Sequence, residues 1–136
     1  MTVCVLDSSV ALAWILPGET NPAIDALLDQ IVAGGAIAPS LWKLETANVL
    51  LGAGRRGQIT LAEYQQALLI LSEVPVQIDA YTAGQAWGET LALAAGRKLT
   101  VYDAAYLELA LRRSLPLASL DRALRQAAAK SGVAVL

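Results

Sequence analysis

The sequence of 136 residues contains no histidine and a single cysteine, Cys4. Without histidine there can be no Ser-His-Asp triad, no Cys-His pair and no imidazole general base. A lone cysteine excludes an internal disulfide and any metal site that needs several thiolates, and a zinc site built from cysteine and histidine is excluded with it. Any catalysis must therefore use carboxylates, hydroxyls, lysine or arginine.

Charge is also scarce: charged residues make up 16% of the chain, and the net charge is −2. Domains that bind nucleic acid through bulk charge are usually strongly basic, although a local basic surface is sufficient. No apolar run approaches the ~20 residues that span a bilayer. Because Asp7 interrupts the apolar N-terminal stretch, a signal peptide is not expected either. We therefore expect a cytoplasmic protein that does not contact membranes.

The chain does have ample apolar residues, 56% of the total, and its length fits one domain over residues 1–136. Short β-type runs alternate with helical patterns. Strands are predicted at 2–6, 36–38, 74–78 and 117–119, and helices at 9–16, 21–33, 40–56, 60–72, 79–95, 102–113 and 122–130. This alternation predicts an α/β domain of three layers, with a central, mostly parallel β-sheet flanked by helices on both faces.

Three of these helices begin at residues that are typical of helix caps. Ser40 is predicted to cap the third helix, and Asp79 to cap the fifth. Thr60 and Glu63 have the spacing of a capping box. Gly57 and the pair Gly34-Gly35 are predicted to end helices.

Two aspartates follow predicted strands of this sheet. Asp7 comes directly after the first strand, and Asp121 comes shortly after the strand at 117–119. Ligands of open α/β sheets bind beyond the carboxyl ends of the strands, where both residues are expected. Glu45 lies in a nearly apolar helix, and Asp103 lies in the first turn of another. Because burying a lone carboxylate is costly, Glu45 must face solvent, a cation or a partner.

Each of these acids also has a simpler interpretation. Asp7 and Asp121 could cap the helices that follow them, Asp103 could complete a capping box with Thr100, and Glu45 could be exposed. Taken together, however, carboxylates that meet in one cleft repel one another and need cations to stay ionised. Oxygen ligands without histidine or cysteine suit Mg²⁺ or Mn²⁺, and such a metal can activate water and stabilise charge on a phosphoryl group.

Four motifs in order, DSSV at Asp7, LETANVL around Glu45, YDAAYLELA at Asp103 and SLDRAL at Asp121, resemble the PIN-domain ribonucleases. The resemblance covers essentially the whole chain and is strongest to the VapC-type toxins of bacterial toxin–antitoxin modules. It implies a PIN-like fold and an Mg²⁺- or Mn²⁺-dependent endoribonuclease that hydrolyses single-stranded or loop RNA with metal-activated water.

The resemblance also implies roles for individual residues. The four acids would bind the metal and carry catalysis, and Asp7 and Asp103 would be its most direct ligands. The supporting hydrogen-bonding residues would be Ser8, Ser9, Asn48 and Ser119. For Asn48, a hydrogen-bonded amide in the core is an equally good interpretation.

The few basic residues divide into two groups. Arg97, Lys98 and Arg122 adjoin the predicted site loops and are candidates for contacts to RNA phosphates. Others suit the negative ends of helix dipoles, namely Arg55, Arg56, Arg112 and Arg113.

Residues 41–71 form two adjacent helices whose apolar positions are spread widely, so some are expected to be exposed. The resemblance implies that this hairpin contacts a VapB-type antitoxin, one of whose arginines could reach the acidic cleft. It also implies that another surface forms a homodimer.

Three other functions are compatible with an α/β domain of this length. A phospho-receiver domain would need paired acids after the first strand and an acceptor aspartate in mid-chain, and this sequence has neither. A dinucleotide-binding domain would need a GxGxxG motif, which is also missing. The remaining alternative is a catalytically inactive PIN-like module that binds RNA or a protein.

Overall fold

Four short parallel strands form the centre of the protein, whose structure is a computed structural model describing residues 2–136. The strands are β1 (Val5–Leu6), β2 (Ala36–Ala38), β3 (Val76–Ile78) and β4 (Leu117–Ala118). They pair in the order β3-β2-β1-β4, and Val5 lies opposite Ile37 on one side and Leu117 on the other. All residues of β1, β2 and β4 are buried, as expected for strands covered on both faces.

The crossovers between strands assign the helices to the two faces of the sheet. The helices are α1 (Ser8–Ile15), α2 (Pro22–Gly34), α3 (Trp42–Arg55), α4 (Leu61–Glu73), α5 (Thr82–Gln85), α6 (Glu89–Arg97), α7 (Val101–Arg113) and α8 (Arg122–Lys130). Because crossovers are right-handed, α1–α4 cover one face and α5–α7 the other. The packing of α1 on α2, α3 and α4, and of α7 on α6 and α8, agrees with this division. The predicted fold is confirmed.

Two hydrophobic clusters support these layers. The larger one joins the strands to α1, α7 and α8, and it includes fully buried Leu6, Ile37 and Tyr106. The smaller one lies inside the hairpin of α3 and α4 around Leu50 and Ala67. Within residues 2–136, no helix has the length and apolar content needed to cross a membrane.

The helix ends were predicted correctly in those cases where the groups that end the helix are close together in sequence. Thr60 N–H donates to Glu63 Oε1 (2.9 Å) and Glu63 N–H to Thr60 Oγ1 (3.1 Å), which completes the capping box. Helix α2 ends at Gly34, where Gly35 adopts a positive φ of 82° that favours glycine. The predicted Ser40 cap was wrong. Helix α3 begins at Trp42, and the Ser40 N–H donates instead to Thr82 Oγ1 (3.1 Å).

The single helix predicted from Asp79 was also wrong. The segment forms α5 and α6, which are separated by a break at 86–88. Three predicted strands proved too long, because β1 begins at Val5, β3 begins at Val76 and β4 ends at Ala118. Asp79 does not begin a helix, since its carboxylate is held by a residue far along the chain.

That residue is Arg112, which forms an ion-pair network with Asp79 and Glu108. Its Nη1 and Nη2 donate to the two carboxylate oxygens of Asp79 (3.2 and 2.7 Å), and its Nε donates to Glu108 Oε2 (2.9 Å). Both acids are almost fully buried, and the guanidinium also lies over the ring of Tyr81. The interpretation of Arg112 as a partner of the helix dipole alone was therefore incomplete, because its side chain joins α7 to the end of β3.

Replacing Arg112 with methionine should destabilise the fold by about 3–5 kcal/mol, because it leaves two buried carboxylates without a cation. Burial by itself would raise the pKa of Asp79, but hydrogen bonds from Arg112 and Thr82 hold it below its usual range. The stabilisation that comes from Asp79 is thus present above the unfolded pKa and is lost as the pH falls through the folded pKa. Urea unfolding at pH 7 measures the loss. Exposed Arg113→Met is the matched control, and equal stabilities of the two variants would contradict this role of Arg112.

Candidate active site

The point where the sheet connections change direction lies between β1 and β4. Strand β1 is flanked by β2 and β4, and the crossovers leading to those two strands run over opposite faces of the sheet. A crevice at the carboxyl ends of strands is typical of such a switch point. Asp7 directly follows β1, Ser119 directly follows β4, and the Asp7 N–H donates to the carbonyl of Ala118 (2.9 Å).

Asp7 is buried in this crevice, with only 4% of its surface exposed. Its Oδ2 accepts hydrogen bonds from Ser9 Oγ (2.5 Å) and Ser119 Oγ (2.8 Å). Asp7 occupies the N-cap position of α1. Among the described residues, however, its side chain makes no hydrogen bond that caps the helix. Burial raises the pKa of Asp7, the nearby charge of Asp121 adds to the rise, and the two serine hydroxyls oppose it. The interpretation of Asp7 as a helix cap was right for its position and wrong for its side chain, whose carboxylate bonds to the two serines.

Glu45 and Asp103 face the same crevice from α3 and α7. Glu45 is half-buried and accepts a hydrogen bond from the Tyr106 hydroxyl. Burial raises the pKa of Glu45, and the charges of Asp7 and Asp103 raise it further. Burial likewise raises the pKa of Asp103, followed by the charges of Asp121 and Asp7. The structure therefore brings the four predicted acids close enough to influence one another.

Asp121 and Asp103 also make local helix contacts. Asp121 Oδ2 accepts from the Leu124 N–H (2.8 Å), so Asp121 does cap α8 while its charge acts on the crevice. Asp103 bonds to Thr100 Oγ1 through its backbone N–H (3.1 Å), and a hydrogen bond between the Thr100 side chain and its carboxylate partly opposes the rise of the Asp103 pKa. The two interpretations offered for Asp121 are therefore compatible with each other.

These residues can be tested for their fit to a metal ion. Among residues 2–136, no three histidine, cysteine or acidic side chains converge closely enough to hold a metal ion as they stand. The donor chemistry nevertheless fits a hard divalent cation, because carboxylate oxygens are the ligands that Mg²⁺ prefers. Burial is the main cause of the raised pKa values of Asp7, Glu45 and Asp103, and repulsion between the acids adds to it; a bound cation would offset both.

The predicted supporting residues have different surroundings. Ser119 is fully buried and accepts the Asp121 N–H (3.0 Å) in addition to bonding Asp7. Ser9 also accepts the Leu120 N–H (2.9 Å), which ties α1 to the loop after β4. A hydrogen bond from the Ser8 hydroxyl lowers the pKa of Glu45, so Ser8 belongs to the crevice as well. Asn48 is exposed, and its interpretation as a core amide was wrong.

The three basic candidates are exposed residues at helix ends. Arg97 and Lys98 are exposed at the end of α6, and Lys98 adopts a left-handed conformation with φ 58°. Arg122 is exposed at the start of α8, next to Asp121.

Tyr106 is a site residue that was not recognised from the sequence. It is fully buried, and burial together with its hydrogen bond to Glu45 raises the pKa of its hydroxyl. Two features could have identified it. A tyrosine within an apolar helix needs a partner for its hydroxyl, and its position three residues after Asp103 places it on the same helix face.

Comparison with known proteins identifies relatives over almost the whole chain. The family model of the PIN domain matches residues 4–130. The structure is similar to that of PAE2754 from Pyrobaculum aerophilum, with a TM-score of 0.69 and 26% identity over 98% of this chain and 83% of that one. It is also similar to FitAcB from Neisseria gonorrhoeae, with a TM-score of 0.61 and 19% identity over 97% of this chain and 95% of that one. No curated protein matches the sequence.

Replacing Tyr106 with phenylalanine should raise the pKa of Glu45 further, because a hydrogen bond that favours the charged carboxylate is lost. An NMR titration of the Glu45 carboxyl carbon measures this change. The matched control is Tyr102→Phe, which removes an exposed hydroxyl from the same helix and should leave the Glu45 titration unchanged. An identical Glu45 titration in Tyr106→Phe and the wild type would show that Tyr106 does not hold this carboxylate.

Proposed function

The chain belongs to the PIN domain family, and from that membership we propose that it is an Mg²⁺- or Mn²⁺-dependent endoribonuclease, the VapC-type toxin of a toxin–antitoxin module. PIN domains are generally nucleases, hydrolases that act on nucleic acid. The observation that carries the proposal is the crevice at the ends of β1 and β4, where four carboxylates lie close together and where burial, followed by the charges of neighbouring acids, raises the pKa values of Asp7, Glu45 and Asp103.

In this proposal Asp7 and Asp103 would hold the metal, and Glu45 and Asp121 would contribute directly or through water. When bound, a divalent cation lowers the pKa of a water molecule and offsets charge that develops on a phosphodiester. The protein's own residues orient the carboxylates that would bind the metal. Ser9 and Ser119 fix the Asp7 carboxylate from two different elements, and Tyr106 fixes that of Glu45.

The RNA phosphates that flank the scissile bond need cations of their own, because the crevice itself is acidic. We assign this role to Arg97, Lys98 and Arg122, which are exposed at the end of α6 and the start of α8, Arg122 directly after Asp121. Local cations of this kind would allow a chain of net charge −2 to approach a polyanion.

One observation favours the alternative of a PIN-like module that binds RNA or protein without cleaving it. In the described part of the chain, no three potential ligands are close enough together to hold a metal. The two functions differ in their response to metal: the nuclease should be stabilised and activated by Mg²⁺ or Mn²⁺, and the binding module by neither.

Replacing Asp7 with asparagine should abolish Mg²⁺-dependent cleavage of RNA while keeping the fold. The asparagine side-chain oxygen can still accept from Ser9 and Ser119. The variant should also be more stable than the wild type at pH 7. Since burial raises the Asp7 pKa, the stability that Asp7 contributes is full below its unfolded pKa of ~3.9 and is lost as the pH rises through the folded pKa.

This prediction is measured by cleavage of total RNA with titrated Mg²⁺ and by urea unfolding. Asp29→Asn, an exposed acid on α2, is the matched control and should behave like the wild type. Mg²⁺ should raise the Tm of the wild type more than that of Asp7→Asn. Full activity in excess EDTA, or wild-type cleavage by Asp7→Asn, would refute the proposed function.

We further assign one apolar surface of the chain to a protein partner. The hairpin of α3 and α4 exposes leucines, including Leu44 at 75% and Leu61 at 73%, which suits a VapB-type antitoxin. A separate surface would form a homodimer. Light scattering should then give a mass near twice the 14.3 kDa of one chain, and the mass of a single chain would count against the dimer.

A further inference from the structure

A groove between the end of α6 and α8 gathers cations that the acidic crevice does not use. Its volume is about 360 Å³, and its lining includes Arg97, Lys98 and Lys130. These are three of the ten lysines and arginines of the chain. The lining contains no carboxylate among the described residues, although the protein as a whole is acidic.

The helix ends account for only part of this charge. A cation near the end of α6 and another near the end of α8 would each complement a helix dipole. Here three cations from two helices line one concave surface, and Arg97 Nη2 approaches the carbonyl of Lys130 (3.5 Å) across it. The lining also includes small residues, among them Gly96 and Ala123, beside which a ligand backbone can approach closely.

The groove begins beside the acidic crevice. Asp121 caps α8, Ala123 lines the near end of the groove, and Lys130 lines its far end. At a rise of about 1.5 Å per residue, the groove extends about 10 Å along α8. A nucleic acid strand with one phosphodiester in the crevice therefore has a cationic path for its neighbouring phosphates.

An exposed aromatic residue lies in the sequence between a cation of the groove and an acid of the crevice. Tyr102 is 67% exposed and lies four residues after Lys98 and directly before Asp103. A cationic groove with an adjacent exposed aromatic ring is the combination that binds single-stranded nucleic acid, because phosphates follow the cations and an unpaired base stacks on the ring. A paired base in a duplex is not available for such stacking.

We infer that the groove of Arg97, Lys98 and Lys130, together with Tyr102, binds single-stranded RNA on one side of the scissile phosphodiester. This inference rests on the proposed action on RNA. It adds Lys130 and Tyr102 to the contacts assigned above, and it specifies that the strand is unpaired where it leaves the crevice.

The test uses Asp7→Asn protein, so that RNA is bound without being cleaved, and a fluorescent single-stranded RNA of ten nucleotides. Adding Arg97→Gln and Lys130→Gln should weaken binding and reduce the slope of log Kd against log salt by about 1.4, since each phosphate contact on a single strand contributes about 0.7. Adding Tyr102→Ala instead should weaken binding roughly tenfold through lost stacking. A duplex of the same sequence should compete poorly.

The matched control carries Arg55→Gln and Arg113→Gln, which remove the same charge from exposed positions outside the groove. The four residues substituted in the two variants are all exposed. Thermal melts that match the parent protein would confirm that both variants fold. Binding by the groove variant equal to that of the control, or no RNA binding at all, would overturn the inference. So would equal competition by the duplex.

Cleavage assays with the same substitutions in the wild-type background separate this inference from the proposed nuclease function. The groove variant should raise KM for RNA and leave kcat nearly unchanged. If the wild type cleaves RNA and the groove variant has an unchanged KM, the nuclease function stands and the groove fails. If the wild type does not cleave but the groove substitutions still weaken binding, the groove stands and the nuclease function fails.

Discussion

Asp7 carries its carboxylate into the interior at the end of β1, and the need to satisfy that group shapes the elements around it. Its two hydroxyl donors come from opposite ends of the chain, Ser9 in α1 and Ser119 after β4. The same serines bond to the backbone of Leu120 and Asp121, which fixes the start of α8 against α1. The hydrogen bonds that hold the candidate active site therefore also join the first and last units of the fold.

Buried acids are treated in two opposite ways in this molecule. Asp79 and Glu108 are neutralised by Arg112, and the Asp79 pKa is lowered. In the crevice, burial and mutual repulsion instead raise the pKa values of Asp7, Glu45 and Asp103, with hydroxyl donors as partial compensation. The first group contributes to stability. The second retains an unfavourable charge that a cationic ligand can relieve, as is common where function opposes stability.

Sequence patterns predicted what depends on residues that are near neighbours in the chain. The alternation of strands and helices and the position of Asp7 directly after the first strand follow from apolar runs and the residues that end them. The Thr60–Glu63 box follows from a spacing of three residues. The errors involve partners far apart in sequence. Asp79 has the appearance of a cap, but its partner Arg112 is 33 residues away. Tyr106 was overlooked for the same reason, because Glu45 is 61 residues away.

Helix α7 connects both groups of acids, with Asp103 near its start and Arg112 near its end. Between them, seven successive residues from 104 to 110 are buried, so this stretch has no side that faces water. A substitution at any of these positions meets closely packed neighbours. Evolution or laboratory selection of a new substrate preference would therefore have to leave the middle of α7 unchanged and work through its exposed ends, such as Tyr102 and Arg113.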